Sequence, residues 1–228
     1  MLPTNITFSF LLASAIVLAR TGFEYEGVTV ETVDANGKTK TVVVKRDIPP
    51  ECKKVSIDNT TVWTGNYANP KVPEACKSTY VHTVGKLLPI QLHEDIMTYG
   101  ELEVLAFMKQ MQNDDSMMLI DGRKQEWYDY RTIPGAVNMP FHHFKERKSF
   151  EFEFERSLKM LGVKRKKDGT HDFSHVKTVV IFCNGPWCSQ SVAMIQALLE
   201  IGYPAEKISW YRGGMESWLV AGMTSTRE

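Results

Sequence analysis

Two of the four cysteines, Cys183 and Cys188, stand five positions apart in a setting that favours sulfur chemistry. The β-branched run Val179-Val180-Ile181-Phe182 stops at Cys183, and the loop Asn184-Gly185-Pro186-Trp187-Cys188-Ser189 follows. From Ser191 to Leu199 the apolar residues return at helical spacing. A cysteine so placed lies at the carboxyl end of a buried strand, beneath loop amides and a helix N-terminus. Those dipoles favour an anion, so the Cys183 thiol is expected to ionise readily and act as a nucleophile. The amides from Asn184 to Ser189 are expected to cradle the sulfur. Gly185 permits close backbone approach, and Pro186 stiffens the loop. Trp187 reads as a lid or a packed plug.

Cys188 admits three readings: a small half-buried residue, a resolving thiol that closes a disulfide with Cys183, or part of a metal or redox-sensing pair. The spacing is Cys-x4-Cys, which does not favour a general disulfide oxidoreductase of the Cys-x-x-Cys kind. The other two cysteines, Cys52 and Cys76, lie in a polar, proline-punctuated stretch with 23 residues between them. In an oxidising compartment they read as a structural disulfide, worth about 3 kcal/mol through the loop it closes. His142-His143 lacks the acidic or cysteine spacing of a metal site and reads as surface. No metal and no organic cofactor are expected, since neither a Gly-x-Gly-x-x-Gly fingerprint nor a phosphate-binding Gly/Lys loop is present.

The elements that must position these residues alternate. Helical spacing predicts a helix opening at Tyr99-Gly100-Glu101-Leu102, with Leu102, Leu105, Ala106, Met108 and Met111 inward. Met117–Asp121 reads as a buried strand ending in a carboxylate, Glu126–Tyr130 as a helical turn, and Ala136–Met139 as a short strand. A helix over Phe150–Leu161, a charged loop over Lys164–His175 and the Cys183 strand and helix follow. A strand at Ile208–Tyr211 and a helix opening at Gly213-Gly214-Met215 close the chain. Such alternation predicts an α/β fold with a mainly parallel central sheet flanked by helices. Ligands bind beyond the carboxyl ends of such strands, where Asp121, Cys183 and Arg212 would meet.

Ahead of this unit, residues 20–90 read as an accessory extension: a β-hairpin turning at Asp34-Ala35-Asn36-Gly37, then loops broken by Pro49, Pro50, Pro70, Pro73 and Pro89. The uncharged run Ile6–Ala19 reads as an export signal spanning residues 1–19, which implies a periplasmic or secreted protein. An uncleaved anchor or a buried first helix are its alternatives. Lys+Arg and Asp+Glu balance at 27 each, which removes the compositional case for nucleic acid or for a membrane beyond the signal.

Four segments in order resemble the rhodanese-like (sulfurtransferase) family. Ile120-Asp121-Gly122-Arg123-Lys124-Gln125-Glu126-Trp127 is similar to its strand-end Asp-x-Arg element, and Ile133-Pro134-Gly135-Ala136-Val137-Asn138-Met139-Pro140 to its Ile-Pro-Gly-Ala-x-Asn-x-Pro segment. Phe182-Cys183 and its loop resemble the active-site cysteine. Tyr211-Arg212-Gly213-Gly214-Met215-Glu216-Ser217-Trp218 resembles the closing Gly-Gly-x-x-x-Trp element, and together the segments span residues 98–222.

The resemblance implies a rhodanese-like domain over residues 91–228 in which Cys183 carries sulfane sulfur as a persulfide. The sulfur passes from a donor to a thiophilic acceptor. Asp121 and Arg123 would organise the loops, and Arg212 would either reach an anion or be an ordinary strand-end charge. Three departures bear on the substrate. Thr132 stands where the family often has histidine; the loop Asn184–Ser191 carries no charge; and Cys188 occupies the fifth position, where many members have a basic residue. A persulfide- or polysulfide-like donor is therefore expected over thiosulfate. A phosphatase is excluded, because its Cys-x5-Arg loop would need arginine at Ser189. The alternatives are a thiol–disulfide redox protein using Cys183 and Cys188, and a non-catalytic binding module.

Overall fold

The computed structural model describes residues 26–34, 36–47, 49–54, 73 and 87–226, and the statements below concern those residues. The expected export signal, Cys76 and most of the proline-rich stretch lie outside them. Cys52 lies in the 3-10 turn Pro50–Lys54. No helix among the described residues is long and apolar enough to cross a membrane.

The chain opens with an antiparallel hairpin, β1 (Val28–Val33) and β2 (Thr39–Val44), in the register Val28↔Val44 to Val33↔Thr39. The Asp34 carboxylate accepts the amides of Asn36 and Lys38 at 2.9 and 3.0 Å, and Gly37 supplies the positive φ of 76° that the turn requires.

The α/β layer comprises β3 (Met97–Tyr99), α1 (Glu101–Met111), β4 (Met117–Asp121), α2 (Gln125–Tyr130), β5 (Val137–Asn138), α3 (Phe141–Lys145) and α4 (Glu151–Met160). It continues through β6 (Lys164–Arg165), β7 (His171–Asp172), β8 (Thr178–Phe182), α5 (Gln190–Glu200), β9 (Ile208–Tyr211) and α6 (Gly214–Val220). The central sheet runs β3-β9-β8-β4-β5, and all four pairings are parallel. The expected charged loop instead contains the short antiparallel pair β6–β7, held by the Lys164↔Asp172 and Arg165↔His171 pairings.

Both faces of the sheet are covered, so its inner strands are apolar on both sides. In β8 the period of two sends Val179 and Ile181 to one face and Val180 and Phe182 to the other. The first face packs on Phe144, Phe154, Leu158, Met194, Ile195 and Leu198, from α3, α4 and α5. The second packs on Val104, Leu105, Phe107 and Met108 of α1, on Met215 and Trp218 of α6, and on Val28, Val30 and Val44 of the hairpin. Leu102 and Ala106 depart from the expected inward set: both are exposed, Leu102 at 55%, because the buried stripe of α1 runs through Val104, Leu105, Phe107 and Met108.

Candidate active site

Strand register delivers three side chains to one level: Asp121 pairs with Phe182, and Phe182 with Tyr211. The residues at or just beyond this row are Asp121, Cys183 and Arg212, at the carboxyl ends of the three inner strands. The register thus brings these three residues to one edge of the sheet. The loop Asn184–Ser189 connects β8 to α5 above it, with Gly185 buried, Pro186 and Trp187 half-buried and Ser189 exposed.

Cys183 continues the alternation of β8, so its side chain falls on the α5 face and is 1% exposed. Its Sγ lies 3.0 Å from Ser191 Oγ, and its S–H is directed at the Cys188 carbonyl oxygen 3.1 Å away. Ser191 Oγ in turn accepts the indole N–H of Trp210 at 3.0 Å. Burial disfavours the thiolate, and the neighbouring Cys188 side chain adds to this. Together they push the Cys183 thiol well above its ordinary range, against the hydroxyl and amide of Ser191. The expectation of a readily ionised Cys183 is corrected accordingly.

The anion-favouring dipoles converge on the neighbouring sulfur. Cys188, 5% exposed, lies beside Cys183 and near the backbone amides of Gln190 and Asn184, with the Arg123 charge nearby. Gln190 is the first residue of α5, so its amide is one of the helix donors without an intrahelical partner. The Cys183 contact first, then these amides and Arg123, bring the Cys188 thiol down to about 6 against the opposing effect of burial. Both cysteines are unbridged thiols. The two thiols titrate as a pair.

The loop is clamped from α6. The amides of Met215 and Glu216 donate to the carbonyls of Cys183 and Asn184 at 3.0 and 2.8 Å. Gly214 makes this approach possible: at φ +55° it sits so close to the Cys183 carbonyl that a Cβ would collide with it. The Trp187 indole N–H donates to Glu216 Oε2 at 2.7 Å, which pins the aromatic ring across the loop.

Asp121 and Arg123 form a fully buried pair, Oδ2 to Nη2 at 2.6 Å. Arg123 Nη1 approaches Asn184 Oδ1 at 3.4 Å, and Nη2 also donates to the Arg131 carbonyl at 2.5 Å. Thr132, at the position where the resemblance suggested histidine, donates its hydroxyl to Asp121 Oδ2 at 2.7 Å and completes the network. Arg212 is engaged by the main chain ahead of β3. Its Nε and Nη2 donate to the carbonyls of Pro89 and Leu88 at 2.9 and 2.7 Å, and the Leu88 amide donates to the Pro186 carbonyl at 2.8 Å. Arg212 thus braces the chain segment that supports the loop.

Ser191, Trp210 and Glu216 complete the site but were not singled out in the sequence. Ser191 follows the cysteine loop at the start of a helix, the one signal that could have raised it. Trp210 and Glu216 have no local signal. His142 and His143 lie on α3, His142 edge-on to Phe150 and His143 tilted against it, and the described residues contain no group of three potential metal ligands.

A parallel sheet with a buried thiol at the carboxyl end of its central strand, roofed by a glycine-proline loop and a helix N-terminus, has a sulfurtransferase-type fold. The model of the rhodanese-like domain matches residues 105–221, and the chain belongs to that family. No curated protein sequence matches it. Among solved structures it is similar in fold to the BH2092 protein of Bacillus halodurans, at 17% identity over 57% of this chain and 77% of that one (TM-score 0.41). It is also similar to a rhodanese with anions from E. coli, at 22% identity over 49% of this chain and 99% of that one (TM-score 0.31). A thiosulfate sulfurtransferase from Pseudomonas aeruginosa matches at 18% identity over 58% of this chain and 20% of that one (TM-score 0.40).

Proposed function

We propose that the protein is a sulfurtransferase that carries sulfane sulfur as a persulfide on Cys183 and passes it to a thiol or another thiophilic acceptor. The observation that carries this reading is the position of Cys183, at the strand end that the family's domain uses for its site, beneath a loop closed by α6. The donor is persulfide- or polysulfide-like. Both arginines at the strand ends are engaged, Arg123 with Asp121 and Arg131 and Arg212 with Leu88 and Pro89. The Glu216 carboxylate lies against the loop at Trp187, which disfavours a small dianion such as thiosulfate. An exported protein with a Cys52–Cys76 bridge belongs to the same proposal.

The test is peptide mass spectrometry of the reduced protein after incubation with inorganic polysulfide or thiosulfate. A gain of about 32 Da on Cys183 from polysulfide, lost again on adding cyanide, is expected. No gain on either cysteine overturns the proposal. The Cys183 S–H, which donates to the Cys188 carbonyl oxygen at 3.1 Å, brings the two cysteines together and favours one second reading, a dithiol–disulfide couple. A loss of about 2 Da bridging Cys183 and Cys188, without added sulfur, would establish that reading instead.

A further inference from the structure

The balanced total charge of the chain conceals two unlike patches. Residues 156–167 carry six basic side chains, Arg156, Lys159, Lys164, Arg165, Lys166 and Lys167, and no acid. Residues 90–103 carry four acids, Glu94, Asp95, Glu101 and Glu103, and no Lys or Arg. Both patches surround large apolar side chains left in solvent, which sets them apart from ordinary charged surface.

The basic patch is a groove of about 480 Å³ between α4 and the β6–β7 hairpin. Leu158 and Val163 line it, Phe152 stands beside them 77% exposed, and Arg156, Lys159 and Arg165 complete the walls. Glu155 is the one acid of the lining, and it pairs with Arg165 at 3.9 Å. Glu151 and Glu153 fall in the first turn of α4, outside the lining. The acids of the hairpin are occupied in its turns: Asp168 accepts the amide and hydroxyl of Thr170, and Asp172 accepts the amide of Ser174. Positive charge is therefore in excess around an apolar floor. The groove adjoins the start of β8, where the Lys177 amide donates to the Leu161 carbonyl at 2.9 Å, and Cys183 follows the other end of that strand.

The acidic patch lies along β3, an edge of the central sheet. β9 pairs with one side of it, and no strand among the described residues pairs with the other. Glu94 and Asp95 precede the strand and Glu101 and Glu103 follow it. Glu103 turns back to accept the Gly100 amide at 2.9 Å, and the Thr98 hydroxyl donates to the Ile90 carbonyl, which holds Ile90 beside the strand. Ile90, Met97 and Leu102 are exposed among these carboxylates. Glu101 accepts the Tyr211 hydroxyl and Asp95 meets His93, but none of the four acids pairs with Lys or Arg among the described residues.

We propose that the two patches are halves of one interface: the β3 edge of one copy of this chain seats on the α4/β6–β7 groove of a second copy, acids against bases. Like patches repel. Two β3 edges would bring four carboxylates against four, and two grooves six cations against six. A net charge of zero leaves no long-range repulsion between copies to oppose the unlike contact. An apolar centre within a charged rim is also how protein–protein contacts are built. Exposed ion pairs individually contribute little, so Phe152 and the apolar residues of β3 supply the attraction and the charges choose the partner. Because the two halves differ, the contact runs head to tail, and closes only if the rotation between copies permits a ring.

The test is sedimentation velocity of the full chain over a concentration series. At about 20 mM NaCl the weight-average mass is expected to rise with concentration above the 26.0 kDa of one chain, and at about 500 mM to return to it. Glu94→Lys with Asp95→Lys, and separately Arg156→Glu with Lys159→Glu, are each expected to raise the apparent dissociation constant at least about tenfold at low salt. Mixed in equal amounts, the two variants are expected to recover the association, since each then carries the charge the other lacks. Phe152→Ser, with every charge kept, is expected to weaken association by about tenfold as well. All the substituted side chains are exposed, and far-ultraviolet circular dichroism checks that each variant keeps its fold. A single species with the mass of one chain at every concentration in low salt overturns the proposal and leaves the groove to an acidic partner other than this chain. Association that persists in both charge-reversed variants overturns it too, and so does a mixture of them that stays monomeric. None of these results touches the reading of Cys183 as a sulfur carrier.

Discussion

The chemistry of Cys183 turns on a hydroxyl whose direction is fixed by its neighbour. Indole Nε1–H can only donate, so the bond from Trp210 to Ser191 Oγ occupies the serine as acceptor and leaves its proton for Cys183 Sγ, 3.0 Å away. Ser191 is thereby a positioning residue: it stabilises negative charge on the inner sulfur at the moment sulfur arrives or leaves. Ser191→Ala removes that donor and strands the buried Trp210 N–H, at a cost of about 1–3 kcal/mol of stability. The expected result is a lower unfolding temperature together with an upward shift in the pH profile of sulfur transfer from Cys183 to cyanide. The direction follows from charge: without the donor the thiolate is less stable and forms only at higher pH. Trp210→Phe, which leaves no orphaned donor, is expected to move the profile in the same direction with a smaller loss of stability. If both variants unfold earlier but keep the pH profile, the hydroxyl is structural only.

At the scale of elements, the loop is held less by its own sequence than by α6, which meets it end-on. Gly214 adopts φ +55° and presses against the Cys183 carbonyl, letting the amides of Met215 and Glu216 cap the carbonyls of Cys183 and Asn184. Gly214→Ala would add a Cβ into that contact at a backbone angle that L-residues disfavour. It is expected to destabilise the protein by about 1–3 kcal/mol and to slow sulfur transfer more than Ser217→Ala on the same helix does. Transfer rates that stay unchanged in Gly214→Ala would show that the clamp does not set the loop geometry. The elements themselves were legible in the sequence, because strands at Met117–Asp121 and Ile208–Tyr211 and the helix after the cysteine loop carry clear periodicity. What was not legible lies between elements. The helix-dipole argument points to the cysteine loop, yet which cysteine the amides of Asn184 and Gln190 lie near depends on how the loop curls. Ser191 and Trp210 come from opposite ends of an α5–β9 unit, and no local pattern joins them. Leu102 shows the same limit: an apolar residue fits the helical stripe, and the angle at which α1 meets the sheet leaves it outside.

On the scale of the molecule, the hairpin that opens the described chain is built into the sheet's second core. Val28, Val30 and Val44 are 5%, 1% and 0% exposed and share that core with Val104, Met108, Met215 and Trp218. Its far end is stitched to the residues that follow α6. Lys45 and Thr224 exchange backbone and side-chain hydrogen bonds, the Asp47 amide donates to Gly222, and Arg46 bridges Met223. Since α6 also clamps the cysteine loop, the hairpin, α6 and the site form one mechanical unit. Val30→Ala and Val44→Ala each remove buried aliphatic surface worth roughly 1.5 kcal/mol or more. Their effect belongs to the whole molecule only if the hairpin unfolds with the sheet. Trp210 and Trp218, both fully buried and set in the two different cores, report that directly through fluorescence. The double variant is expected to lower a single, coincident unfolding midpoint seen by fluorescence and by far-ultraviolet circular dichroism. A midpoint that stays in place by fluorescence would mean that the hairpin melts separately, and the path from hairpin through α6 to the sulfurs would then be broken at its first step.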